Sequence, residues 1–306
     1  MKTESTKTPL ATQALKTAQH LSSFFPRKSL ASSETSLPQR SDTLAYEIAR
    51  DADTILEVQR FRAKVFSQAY QLYFDSGIDQ DRYDHYSAHV LVRDLRTGHI
   101  VAYTRIITPD AKKYLGKYYS ECEFDLSDFL RGKKDVYEIC RTCVDESYRG
   151  GDVLGVLWMG MVPLVLQELK AKYLIGTVSI NLARKPEKML STEAYMAHKA
   201  RQADYPSLKV FDTEKFLLGR DVVFADVWQT EKKKKEKLAY RKKDVPSLIK
   251  HYRRMGAVFS REAYHDAMFN CADYFLAVEV NKKLLMKLNL VCTVMNWKKK
   301  LKVIQG

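Results

Sequence analysis

Apolar residues recur at Ile55, Val58, Phe61, Val65 and Phe66, a spacing of three and four that predicts an amphipathic helix. Arg62 stands beside that stripe. The runs Ala88–Arg93 and Ile100–Ile107 predict two strands, joined by the turn Asp94-Leu95-Arg96-Thr97-Gly98. On the second strand Val101, Tyr103 and Arg105 share one face, and Ala102, Thr104 and Ile106 the other. Val136–Val144 predicts a further strand, followed by a helix with apolar positions Leu154, Leu157, Met161, Leu164 and Val165. Pro163 removes a backbone donor from that helix and is expected to kink it. Tyr173–Ile180 is a strand with Gly176 inside it, where another group can approach the backbone closely. Beyond Asn181 the pattern predicts a helix over 186–202 and strands over 221–228 and 274–280. A short helix is predicted over 245–255, with Pro246 at its second position. Helices and strands in this order predict an α/β (α+β) protein with a mixed sheet.

The ends differ from this pattern. Residues 1–42 are rich in Ser, Thr and Lys and are expected to form a mobile polar arm. Residues 281–306 interleave Leu284, Leu285, Leu288, Val291 and Trp297 with lysines, an amphipathic basic extension that suits a membrane surface or its own domain. One domain is expected between them, over 43–280. The formal net charge is +14, with basic runs at 232–235, 241–243 and 298–300. Such runs attract acidic protein, anionic lipid or nucleic acid. No apolar stretch is long enough for a membrane span and none resembles a secretory leader, so a cytoplasmic setting is expected. Five cysteines without framework spacing fit reduced thiols. Cys140 and Cys143 would face opposite sides of a strand, and no metal site is expected.

The junction after Val136–Val144 carries the most chemistry. A strand with Glu138 and Arg141 opens into Arg149-Gly150-Gly151 and then a helix, an arrangement of backbone N–H groups suited to a phosphate or pyrophosphate. A charged pair within an apolar strand is costly to bury unless compensated. Asp79, Asp81 and Asp84 form an acidic loop.

Several blocks stand in a recognisable order. They are Asp81-Arg82-Tyr83-Asp84, His89-Val90, Tyr119 to Leu126, Glu138 to Val144, Tyr148-Arg149, Leu157-Trp158-Met159-Gly160, Gly176 with Ser179, Val245 to Lys250, Gly256-Ala257, and Asp266 with Phe269 to Asp273. In these the chain resembles the GNAT-like N-acyltransferases of the ornithine-lipid-synthase (hemolysin-like) family over about 45–280. The core is also similar to that of acyl-homoserine-lactone synthases, which lack the block at 245–250. Cys140 stands where the family has Gly.

The resemblance implies a GNAT-like fold, a mostly antiparallel sheet flanked by helices. It implies transfer of a 3-hydroxyacyl chain from acyl carrier protein to the α-amine of an amino acid, ornithine foremost. The donor would arrive on its phosphopantetheine arm, and no cofactor is implied. Glu138 would accept the amine proton, directly or through a water, or else serve as a structural partner of Arg141. A bulge, as GNAT strands carry, would turn both residues to one cleft, where Arg141 adds to an oxyanion site or fixes Glu138. Asp81 and Asp84 would hold the cationic ends of ornithine, or remain a solvated loop. Arg62 and Arg105 would grip the substrate carboxylate, or pair with those aspartates. His89 and Ser179 are placed at the substrate, His89 foremost as a structural hydrogen-bonder. Arg149, Gly150 and Gly151 would meet the phosphopantetheine. Acyl carrier protein is the expected partner, with the inner face of an anionic membrane as a second surface, and nucleic acid is not expected. The rival readings are an autoinducer synthase on the same fold and an inactive basic protein that binds membrane or nucleic acid.

Overall fold

The structure, a computed structural model, describes residues 43–149, 153–182, 245–254, 256–260 and 263–281, together with positions 188, 191, 192, 195, 209, 210 and 284. In chain order its elements begin with β1 (Leu44–Ala49), α1 (Ala52–Tyr70), β2 (Ser87–Asp94), β3 (Ile100–Ile107) and α2 (Pro109–Leu115). There follow β4 (Phe124–Asp125), α3 (Ser127–Leu130), β5 (Val136–Val144), α4 (Val153–Pro163) and β6 (Tyr173–Asn181). The last are β7 (Lys209–Val210), α5 (Ser247–Arg254), β8 (Val258–Phe259), β9 (Tyr264–Asp266) and β10 (Cys271–Glu279). Of the described residues, 43–116 and 139–170 form one compact unit, and 117–138 with those from 171 onward form a second. The stretch expected as one domain therefore holds two units, with the boundary inside β5.

In the first unit β1, β2 and β3 pair antiparallel in sequence, and β5 follows β3. The predicted helix is α1. It begins where Asp51 accepts a hydrogen bond from the Thr54 N–H at 2.8 Å, satisfying one of the orphan donors of its first turn. It buries Ile55, Val58, Phe61, Val65 and Phe66 as the periodicity requires, but also Gln59 and Arg62. Those two polar groups face the same side of the sheet as His89, Tyr103 and Arg105. The opposite side, with Val90, Val92 and Ala102, meets α4. All eight residues of β3 are buried, so both faces of that strand are covered.

Helix α4 is apolar on almost every side and mostly buried. At Pro163 the α-helix ends and continues as a single wider π turn, Leu164–Glu168, in which the Leu169 N–H donates to the Leu164 carbonyl at 2.9 Å. The expected interruption is thus present as a change of helical pitch, one of the recognised ways a chain accommodates a missing donor.

The second unit is built on β6 and β10, antiparallel partners along all nine residues of each. Short strands β8 and β9 pair with β10, and β4 pairs with β7. Phe124 packs its ring against Phe275 and Tyr264, at centroid distances of 5.7 and 6.3 Å. That contact lays the segment after α2 against β9 and β10. The strand expected over 274–280 starts earlier, at Cys271, and the sequence pattern missed β1, α2, β4, α3, β7, β8 and β9. The helix expected over 245–255 is α5, with Pro246 just before its first residue. The strand over 221–228 and most of the helix over 186–202 lie outside the described residues, as do residues 1–42 and nearly all of the C-terminal extension. Among the described residues no helix is long and apolar enough to cross a membrane.

Gly160 explains one of the sequence blocks. A Cβ built there would lie 2.5 Å from Cγ and Cδ2 of Tyr46 on β1, so only glycine lets α4 lie this close to the sheet. The Gly160→Ala variant is expected to lose about 1–3 kcal/mol of stability through overpacking, measured by urea unfolding, and Tyr46→Ala in the same chain should recover part of the loss.

Candidate active site

Three guanidinium groups and three carboxylates meet in the first unit. Arg62 from α1 is fully buried and donates through Nη1 and Nη2 to Asp84 at 2.7 and 3.0 Å. Its Nε lies 3.0 Å from the Asp79 carboxylate, and Nη2 also reaches the Asp79 carbonyl. Arg105 from β3, equally buried, forms a two-pronged pair with Asp81 at 2.6 and 3.0 Å and reaches Asp84 at 2.7 Å. Its Nε donates to the Cys140 thiol at 3.2 Å. Arg141 from β5 stands 3.4 Å from both Asp79 and Asp81. Gln59, Tyr103 and His89 complete the network. Gln59 donates to Asp84 at 3.1 Å, and the Tyr103 hydroxyl lies 2.6 Å from His89 Nδ1. Three charges of each sign balance, which is the condition for burying any of them.

The local sequence builds this arrangement. Asp81 accepts from the Tyr83 N–H at 2.8 Å, closing a turn that delivers Asp84 to the sheet. Burial alone would raise the Asp84 carboxyl, but Arg62 and Arg105 outweigh it and hold it well below the usual carboxylate range. Burial dominates at His89 and lowers its pKa to about 4, so the imidazole is neutral at pH 7.

Arg62, Arg105, Asp84 and His89 are buried, with polar atoms held by one another and by Asp79, Asp81 and Tyr103. Of the two alternatives for the arginines, pairing with the aspartates is the one present, and His89 is the structural hydrogen-bonder. Asp79, Asp81 and Asp84, the acidic loop, are each paired with guanidinium groups. Asp81 and Arg141 form the open edge, with side chains 22% and 14% exposed.

Within β5, Arg141 has a φ of 54°, which puts a non-glycine residue in the left-handed region. Three residues earlier, in the second unit, Glu138 is completely buried. Its oxygens accept from the N–H of Tyr119 at 2.7 Å, the N–H of Ser120 at 2.8 Å, and the Ser120 hydroxyl. Tyr118 ties the same segment to β5, its hydroxyl donating to the Val136 carbonyl at 2.8 Å. Protein donors from the 119–120 segment thus hold the Glu138 carboxylate in the folded chain. Sequence reasoning placed Tyr119 and Ser120 within a block but gave them no role. Nothing in strand periodicity reveals that a loop will fold its N–H groups onto a carboxylate.

Ser179 is exposed on β6, directly opposite Asp273 of β10. The Arg149 guanidinium donates to the Val144 carbonyl at 3.3 Å and lies 3.7 Å from Glu146. Gly150 and Gly151 lie outside the described residues. Cys140 and Cys143 are free thiols, and burial raises the Cys143 pKa to about 12.

Two outcomes follow from the charged network. Asp84→Asn leaves Arg62 and Arg105 short of a charge and should destabilise the protein by about 3–5 kcal/mol in urea unfolding. His89 should give a pH signature. Between about pH 6.5 and 4 the unfolded chain binds a proton on this imidazole that the folded protein does not, so stability falls as pH falls. The loss should reach about 3 kcal/mol near pH 4. His89→Gln should flatten that slope, whereas the depressed Asp84 and Asp81 carboxyls contribute only at lower pH, as they are protonated.

Residues 61–159 match the acetyltransferase (GNAT) domain family. The L-ornithine N(alpha)-acyltransferase of Rhodobacter capsulatus is 26% identical over 255 residues, covering 77% of this chain and 90% of that protein. The enzyme of the same name from Rhizobium meliloti is 26% identical over 275 residues, covering 85% and 88%. Among solved structures, the AHL synthase LasI aligns with a TM-score of 0.43 and 14% identity over 79% of this chain and 92% of its own. FeeM, an N-acyl amino acid synthase from uncultured soil microbes, gives 0.41 and 10% over 78% and 92%. The chain is thus an acyltransferase built around a GNAT domain and similar along most of its length to L-ornithine N(alpha)-acyltransferases.

Proposed function

We propose that this enzyme transfers a 3-hydroxyacyl chain from the phosphopantetheine thiol of acyl carrier protein to the α-amine of ornithine, giving a lyso-ornithine-lipid-type product. The observation that carries the reading is the strand β5. It presents Glu138 and then turns left-handed at Arg141, in a chain similar over 77–85% of its length to three ornithine N(alpha)-acyltransferases. An α-amine titrates near pH ~8, so most of it must shed a proton before it attacks a thioester. In our reading Ser120 links the amine to Glu138. Its hydroxyl takes the amine proton as its own proton passes to the carboxylate it already touches. The nitrogen lone pair adds to the thioester carbonyl, and collapse of the adduct expels the carrier thiolate as the amide forms. The backbone N–H groups of Tyr119 and Ser120 keep the Glu138 carboxylate fixed for this step.

The basic composition of the chain supports an acidic carrier protein as donor and an anionic membrane as the place where the product leaves. Purified enzyme incubated with 3-hydroxyacyl carrier protein and a panel of amino acids, ornithine and glycine included, should give acylornithine and free carrier thiol by mass spectrometry. Product from none of the amino acids, or a lactone formed only with S-adenosylmethionine, would overturn the reading. Glu138→Gln should lower turnover about 10²-fold or more while the circular-dichroism spectrum stays folded. Wild-type turnover in that variant would remove Glu138 from the reaction.

A further inference from the structure

The second unit holds an acidic cluster that the proton transfer does not use. Cys271, Asp273 and Phe275 alternate along one face of β10. Asp266 of β9 stands opposite Cys271, and Ser179 of β6 opposite Asp273, so all of these share that face. Asp266, Cys271 and Asp273 bring one oxygen or sulfur atom each within 4.8 Å of one another. Glu123 joins them from the preceding segment, which the rings of Phe124, Tyr264 and Phe275 hold against the same face. The Glu123 side chain is 4% exposed, and its Oε2 has no hydrogen-bond partner among the described residues. No ion pair to Glu123 or Asp266 is formed among the described residues either. A buried carboxylate oxygen without a partner, under the electrostatic influence of two further carboxylates, is costly unless a cation completes it. Burial, then Asp273, Asp266 and Glu138, raise the Glu123 pKa well above the usual range, so without a cation it holds a proton.

We infer that Glu123 and Asp273, with Ser179 at the solvent side, form the subsite for the side-chain ammonium of a diamino-acid substrate. This rests on the acyl-transfer reading above. A primary ammonium offers three N–H donors, and Glu123, Asp273 and the Ser179 hydroxyl offer acceptors, the ammonium competing at Asp273 Oδ1 with the Cys271 thiol, a weak donor at 3.4 Å. Asp266 is the less adaptable member, since one of its oxygens already accepts the N–H groups of Met268 and Phe269 at 2.8 and 3.1 Å. Ser179 is exposed, so the cluster borders solvent at that residue. Ser120 and Glu123 lie three residues apart in the same segment, which ties the subsite to the proposed proton relay. The site reads charge at the end of an alkyl chain, and so separates ornithine from norvaline, which has the same five-carbon skeleton without the terminal ammonium.

The test compares ornithine with norvaline for the full chain, for Glu123→Gln and for Asp273→Asn, with folding monitored by thermal melts. Equilibrium binding by calorimetry is measured beside acylation, so the inference is judged even if no acyl product forms. Wild type should bind ornithine at least about tenfold more tightly than norvaline, and either variant should bring that ratio close to one. The ornithine-to-norvaline ratio of kcat/KM should fall at least about tenfold in both, through KM. Unchanged ratios in folded variants would overturn the subsite while leaving the acyl-transfer reading intact. No acylation by wild type, with ornithine binding still lost in the variants, would overturn that reading and keep the subsite. A divalent metal that co-purifies stoichiometrically and is lost in Asp273→Asn would assign the cluster to a metal and overturn the ammonium reading.

Discussion

Burying charge in equal and opposite amounts is the constraint on which the first unit depends. Arg62, Arg105 and Arg141 meet Asp79, Asp81 and Asp84 in one network, and two of those arginines have no exposed surface at all. Removing water from an isolated guanidinium costs several kcal/mol even after relaxation, so each member is tolerable only while its partners are in place. The network joins a helix, two strands and a loop that are far apart in sequence. It therefore specifies how α1, β3, β5 and the turn at 79–84 come together, in a way that apolar contact alone, being non-directional, does not.

The second unit handles its acids differently. Glu138 is compensated by backbone N–H groups and a hydroxyl rather than by cations. Glu123 keeps a buried oxygen without a hydrogen-bond partner among the described residues. In our reading that buried oxygen belongs to the subsite for a cationic ligand. Natural cores seldom hold an orphaned polar atom without such a reason.

The two treatments also separate structure from chemistry along one strand. Cys140, on the Arg105 side of β5, gives its sulfur to a guanidinium, and Arg141 takes a left-handed backbone with its side chain toward Asp79 and Asp81. A residue in that conformation carries a cost of roughly 1–2 kcal/mol, which the surrounding pairs must offset. Arg141 is thereby a fixed point of the first unit.

Periodicity alone determined the helix at 52–70, the strands at 87–94, 100–107, 136–144 and 173–181, and the helix carrying Pro163. Those elements bury an apolar stripe or face, and the stripe is written in the spacing. The motif order, read as a resemblance, led to the acyltransferase class and to Glu138 and Arg141. Short pieces escaped: β1, β8 and β9 exist because a neighbouring edge supplies their hydrogen bonds, which no local pattern records. Partner choice escaped too. Asp84 could have met solvent, substrate or arginine, and only the packing of α1 and β3 decided that it meets Arg62 and Arg105. Sequence names the charged groups, but tertiary structure removes the water around them, and that desolvation determines which charges are structural and which remain for a ligand.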